Sequence, residues 1–306
     1  MTLYGIPPAG MRRFLAPEDG KEHARAIVDA AHAWWLENRG GVGDLPIAVG
    51  TLGGLALSAP STADGPDYGP LLIEATDEEL VDALRAGWNT FWTFDPFLAD
   101  AARPLHDWLS NPSETDIRGL GDYARILVRA GLLEYCSDVH RCESEDLLGL
   151  LKMRMRSYSS RQATGEFFTP SIAADPAAEI ELLSSPVEPG ALILEPCAGT
   201  GTMVRALAAA MRFFGSEPGQ YRWWLNDIDE INAACCAVNT QLWRLGRQVT
   251  VSCGDALHDP RTALEEPTRE RARRAVAEQK RRPVLYPTRT RPPFWPLRTR
   301  PPSWPV

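Results

Sequence analysis

The sequence predicts an α/β chain in which a mainly helical first half precedes a short parallel sheet. Three observations carry that reading. From Gly20 to about residue 155 the apolar residues recur at helical spacing. From Ala191 to Asp255 short apolar strands alternate with amphipathic helices, the grammar of βαβ units. Beyond residue 260 the periodicity gives way to charge, arginine and proline.

KEHARAIVDAAHAWWLENRGG spaces Ala, Ile, Val and Trp along one helical face and stops at Gly40-Gly41. GDLPIAVGTLGGLALSAP is apolar but broken by glycine and proline, and no element is assigned to it. ATDEELVDALRAGWNTFWTF opens with Thr76 as N-cap and Glu79 three residues on, a capping box. GLGDYARILVRAGLLEY reads as one amphipathic helix. SEDLLGLLKMRMRSY follows, with Ser144 as cap and Glu145 and Asp146 in the first turn, where the helix dipole favours acids.

The second half begins with ALILEP (residues 191–196), a fully apolar strand, and TMVRALAAAMRFFG, a helix ended by Gly215. RWWLNDID is a second strand, and EINAACCAVNTQLWRLG a second helix, ended by Gly246. QVTVSCGD is the third strand. A charged segment, RTALEEPTRERARRAVAEQKRR, predicts a solvated helix before the proline-rich end. The expected organisation is a helical domain over 1–143, a ligand-binding core over 144–260, and a disordered Pro/Arg-rich tail over 261–306.

Composition excludes several classes. No apolar run approaches the roughly 18 residues that span a bilayer, so no membrane partner is expected. The N-terminus lacks a continuous apolar stretch of signal-peptide type. Six irregularly spaced cysteines suit a reducing, cytoplasmic location better than a disulfide framework. The net charge of −8 is uneven: from Thr268 onward eleven basic residues face two acids, which leaves about −17 on the residues before it. Such an acidic body lacks the basic face of a nucleic-acid binder, and a partner subunit would have to supply one.

Several clusters have bland readings. Cys136, His140 and Cys142 offer three metal-type ligands with no fourth nearby, so no metal is assigned. Cys235-Cys236 suit small core residues, and Trp34, Trp35, Trp88 and Trp92 stand at core or interface spacing. Lys152, Arg154, Arg156 and Arg161 fit DNA phosphates and a solvated helix face equally well.

The strongest motif is ILEPCAGTGTMV, residues 193–204. A strand ends in Glu195, a loop carries Gly199, Thr200 and Gly201, and a helix starts at once. Such glycines let backbone approach a ligand, and the helix N-terminus offers free N–H groups. The dinucleotide fingerprint G-x-G-x-x-G is a rival, but Val204 replaces its third glycine. With an acid at the strand end, the motif resembles that of the S-adenosylmethionine-dependent N6-adenine DNA methyltransferases.

The resemblance spans residues 144–257. TGEFFTP, which contributes Gly165, Glu166, Phe167, Phe168, Thr169 and Pro170, is similar to the segment before the cofactor loop in type I restriction-modification methylation subunits. In that family it closes over the methionine end of the cofactor. Asp227 in NDID matches the acid that takes the ribose hydroxyls, and Ile228 the residue flanking the adenine ring. Asp255 in CGDAL matches the acid that accepts from the cofactor's adenine amino group. Read without the family, Asp227 also suits a helix cap, Gly254-Asp255 a turn, and Phe167 and Phe168 simple packing. The resemblance implies a Rossmann-like S-adenosylmethionine-dependent methyltransferase domain behind a helical one. DNA is the implied substrate, with a specificity subunit or second methylation subunit as partner.

One part of the family pattern is missing. Its catalytic signature is Asn- or Asp-Pro-Pro-aromatic, whose amide or carboxylate and proline carbonyl accept the two amino hydrogens of a flipped-out adenine. Here Pro292-Pro293-Phe294 follows Arg291, a guanidinium with five donors and no acceptor. No catalytic residue is assigned, and the core is expected to be cut short after its third strand. An inactive cofactor-binding remnant or interaction module therefore stays open beside the enzyme. A sheet cut short also exposes strand edges.

Overall fold

Asp19 accepts hydrogen bonds from Lys21 N and Glu22 N and so opens helix α1 (Gly20–Asn38). This computed structural model describes residues 17–40, 44–60, 65–156, 169–185 and 187–258, with scattered positions between 273 and 286. Gly165, Glu166, Phe167, Phe168, Arg161 and the triplet 292–294 lie outside the described residues.

The unassigned apolar stretch forms α2 (Leu45–Ala56). Pro46 stands in its first turn, where no N–H is needed. Its glycines are there for packing: a Cβ on Gly50 would overlap Leu105 O, and one on Gly54 would lie 2.9 Å from Trp88 Nε1. Each glycine forgoes about 1 kcal/mol of helix propensity, which the close approach and full burial outweigh.

After α3 (Gly69–Glu74), α4 (Asp77–Phe94) starts with the expected reciprocal box between Thr76 and Glu79. Next come α5 (Pro96–Ala101), two short 3-10 turns (Arg103–Leu105 and Asp107–Ser110) and α6 (Glu114–Ile117). The single helix expected over 119–135 is two, α7 (Leu120–Arg129) and α8 (Leu132–Ser137), parted at Gly131, where the backbone turns. α9 (Val139–Cys142) leads to α10 (Leu147–Met155). The cap of α10 is Asp146, which accepts from Gly149 N at 2.9 Å. Ser144, the expected cap, spends its hydroxyl on Arg141 O at 2.6 Å.

The second half runs α11 (Ser171–Ser184), β1 (Leu192–Glu195), α12 (Thr202–Phe213), β2 (Arg222–Asp227), α13 (Glu230–Leu242) and β3 (Val249–Cys253). The strands are parallel in the order β1-β2-β3, with Leu194 opposite Trp224 and Trp223 opposite Val249. The architecture is mostly helical with a three-stranded parallel sheet. Its apolar core is continuous from α1 to β3, with Trp34, Trp35, Trp88, Trp92, Cys235 and Cys236 all buried in it. A second, small seam of Ala174 and Ala178 against Ala206 and Ala210 lets α11 and α12 pack closely.

β1, read as a fully apolar strand, is an edge with no described strand on its outer side, and its Leu194 is 49% exposed. The segment from 261 reads as a disordered tail, yet two of its described residues, Leu285 and Tyr286, are buried against the helical half, where Asn89 pairs with the Tyr286 main chain. Among the described residues, no helix is long and apolar enough to cross a membrane.

Candidate functional site

The three strands deliver their carboxyl ends to one corner, and Asn226 fastens them together. Its amide donates to Pro196 O just past β1 (3.1 Å) and to Gly254 O just past β3 (2.9 Å). Its oxygen accepts from the Ser252 hydroxyl at 3.0 Å. Asn226 is buried, so each of these bonds answers a polar group that would otherwise be orphaned.

Beside it, Asp227 organises the glycine loop. One carboxylate oxygen accepts from Gly199 N at 2.7 Å. The other accepts from Asp229 N at 2.9 Å and from the Asn232 amide at 3.1 Å. Asp227 thus has a structural role, although the cap of α13 is Asp229, which accepts from Asn232 N at 2.8 Å, and one of the roughly four acceptor positions of the Asp227 carboxylate is left. Glu195 accepts from Cys197 N at 3.0 Å. Asp255 is exposed and accepts from Leu257 N and His258 N, closing a turn. Ile228 is 70% exposed, a large apolar side chain in water right beside the acid.

In the loop itself, Gly199 and Gly201 have φ of 58° and 104°. Among the described residues nothing lies within 4 Å of where a Cβ on Gly199 would stand, so that side of the loop is open to them. Gly201 is the opposite case, for its Cβ would meet Trp243 at 2.8 Å. Thr200 is buried and donates its hydroxyl to Asp146.

That bond leads to a residue whose role is not visible in the sequence. Asp146, the cap of α10, also accepts from the Thr202 hydroxyl (2.9 Å) and from Asn239 (2.9 Å), and Asn239 in turn donates to Thr200 O (2.8 Å). One buried carboxylate therefore ties α10 to the glycine loop, the first turn of α12 and the middle of α13. Burial pushes its pKa up, against the pull of four hydrogen-bond donors.

The basic stretch is also absorbed by the structure. Lys152 is buried and donates to Asn232, and Arg156 pairs with Asp229 at 3.1 Å. Although burial opposes it, the Asn232 N–H with Lys152 and Arg156 holds the Asp229 carboxyl below its ordinary range. Among the described residues of the stretch, Arg154, paired with Asp29 at the surface, keeps the solvated reading. Of the other singled-out residues, Thr169 and Pro170 are exposed at the start of α11. They sit near the same corner, since Ser171 bonds Glu145, the neighbour of Asp146. Cys136 and Cys142 are buried while His140 is exposed, so the three do not converge.

No family model matches the chain, and no curated protein does. Among solved structures, the chain is similar to a methyltransferase subunit. That protein is the type I restriction-modification system methyltransferase subunit from Streptococcus thermophilus, at 13% identity with a TM-score of 0.49. The match covers 79% of this chain and 60% of that subunit, so this chain spans about three fifths of its length.

Proposed function

We propose that this chain is the S-adenosylmethionine-binding core of a DNA adenine-N6 methyltransferase of the restriction-modification type. The observation that carries the reading is the convergence of Glu195, Asp227 and Asp255 on the carboxyl ends of three parallel strands, beside an open glycine loop. Ligands of open α/β sheets bind in that place. Three acids suit a ligand that presents hydroxyls, an amino group and positive charge; they would repel the pyrophosphate of a dinucleotide. The open side of Gly199 gives such a ligand room against the backbone.

Bound there, S-adenosylmethionine supplies an electrophilic methyl group on its sulfonium. Asp227 would hold the ribose hydroxyls, Ile228 would cover the adenine ring, and Asp255 would accept from its amino group. Thr169, Pro170, Glu195, Thr200 and Gly201 would frame the rest, as would Gly165, Glu166, Phe167 and Phe168. Of the Asp227 oxygens, the one that holds the Gly199 N–H carries a single described bond, so a ribose hydroxyl would take its remaining acceptor position. DNA and the acceptors for its target adenine would come with a specificity subunit or second methylation subunit.

Calorimetric titration with S-adenosylmethionine tests the core of this reading. The full chain should bind, and Ile228→Ser should weaken binding by about tenfold, or about 1.4 kcal/mol. Since Ile228 is exposed, its replacement should leave the melting temperature within a degree or so. Absence of binding by well-folded protein would sink the proposal. Radiolabelled methyl transfer to unmethylated DNA then separates the enzyme from the alternative, a cofactor-binding module without transfer activity.

A further inference from the structure

The helical half carries a second built site, on α4 and the turns that follow it. Asn89 faces the main chain of Tyr286 with both ends of its amide. Its oxygen accepts from Tyr286 N and its nitrogen donates to Tyr286 O, each at 2.9 Å. A side-chain amide can mimic a strand's hydrogen bonding in this way, reading backbone without regard to sequence. One turn on, the Trp92 indole donates to Arg282 O at 3.2 Å.

The tyrosine side chain is read separately. Its hydroxyl lies 2.5 Å from His106 Nδ1 and 2.8 Å from His106 O. His106 Nε2 bonds the Ala99 carbonyl at 3.0 Å, and a carbonyl only accepts, so the ring proton is on Nε2, Nδ1 is an acceptor, and the single phenol hydrogen is shared between Nδ1 and His106 O. Trp88 lies against the other face of His106 at 4.4 Å, and Tyr286 meets the imidazole edge-on. Leu285 is buried beside it, whereas Val284 is half exposed. The Arg282 guanidinium folds back onto Leu285 O at 3.0 Å and holds the bend.

We propose that Asn89, Trp92 and His106 form a receptor for a Leu-Tyr segment, and that its occupant is this chain's own Leu285-Tyr286. With the segment in place Asn89 and His106 are buried, and both ends of the Asn89 amide and His106 Nδ1 are matched by Tyr286, so the polar groups of the groove and of its occupant answer one another. Main-chain pairing supplies affinity, and the phenol on His106 supplies selectivity for tyrosine over phenylalanine. The docked segment brings the chain after β3 back to the helical half. This inference does not depend on the cofactor reading.

Hydrogen-exchange mass spectrometry on the full chain tests it. The Tyr286 amide should exchange at least about 100-fold more slowly than in a free peptide of residues 280–288. Asn89→Ala should bring it to the free-peptide rate. Should that variant unfold α4, Tyr286→Phe decides instead, for it deletes the hydroxyl alone. It should lower protection at position 286 roughly tenfold while α1 and α10 keep theirs. Free-peptide exchange at Tyr286 in the unmodified chain would overturn the proposal. Protection that appears only at concentrations where light scattering detects dimers would overturn its choice of occupant, since a second copy's tail would then fill the groove.

Discussion

Asp146→Ala is expected to lower the unfolding free energy by about 3 kcal/mol and to weaken S-adenosylmethionine binding by about tenfold or more. The substitution removes the cap of α10, typically worth about 1 kcal/mol. It also leaves the Thr200 and Thr202 hydroxyls and one Asn239 bond without their buried acceptor. Each such orphan costs about 1–3 kcal/mol, discounted because hydroxyls rotate toward other partners. The effect reaches binding because Thr200 lies between the two loop glycines, so a freed loop must be reordered by the ligand. Urea unfolding together with the same calorimetric titration measures both parts. A variant as stable as the parent would show that the network is idle.

Asp146→Asn refines the argument through pH. The Asp146 pKa is raised in the folded chain, so its contribution to stability is fully present below about 3.8 and is lost as pH rises through the folded value. Above that folded value the protein carries a buried carboxylate against its preference. Asparagine keeps one acceptor and avoids that cost, so it should be milder than alanine. Its deficit relative to the parent should shrink as pH rises from the acid side toward 7. A deficit that grows over that range would mean the carboxylate is better stabilised than its burial implies.

What was legible in the sequence follows from how local each signal is. The capping box of α4, the apolar strands and the glycine loop are short-range patterns, and each lies where its pattern places it. α2 was illegible because its three glycines argue against a helix locally, while two of them, Gly50 and Gly54, make room for Leu105 and Trp88, far along the chain. The Asp146 node was illegible for the same reason, with partners 54, 56 and 93 residues away. Leu285 and Tyr286 belong to a three-residue apolar island, Val284-Leu285-Tyr286, in a proline- and arginine-rich stretch, and Asn89 lies 197 positions before Tyr286. Composition averages over such an island. At Asp227 the sequence carried both readings, ligand acid and helix cap; the cap falls to Asp229 two residues on, and Asp227 instead ties the glycine loop to α13 without using up its carboxylate.

The two loop glycines separate folding from binding. Gly201→Ala is expected to cost about 3–5 kcal/mol, close to the whole stability of many domains. Its φ of 104° lies beyond the ordinary left-handed basin, and its new methyl would stand 2.8 Å from the Trp243 ring and 3.4 Å from Cys236 Sγ. Both neighbours are fully buried, so neither has room to retreat. Gly199→Ala differs at each point. Its φ of 58° is within reach of other residues at about 1–2 kcal/mol, and its methyl would meet no described residue within 4 Å. That methyl would, however, occupy the open side of the loop where the cofactor is proposed to lie. Gly199→Ala should therefore fold with a modest loss of stability and yet bind S-adenosylmethionine about tenfold more weakly or worse. Thermal melts and calorimetry on the pair decide it. If Gly199→Ala binds as the parent does, the loop is an ordinary tight turn between β1 and α12, and the cofactor must be sought elsewhere or not at all.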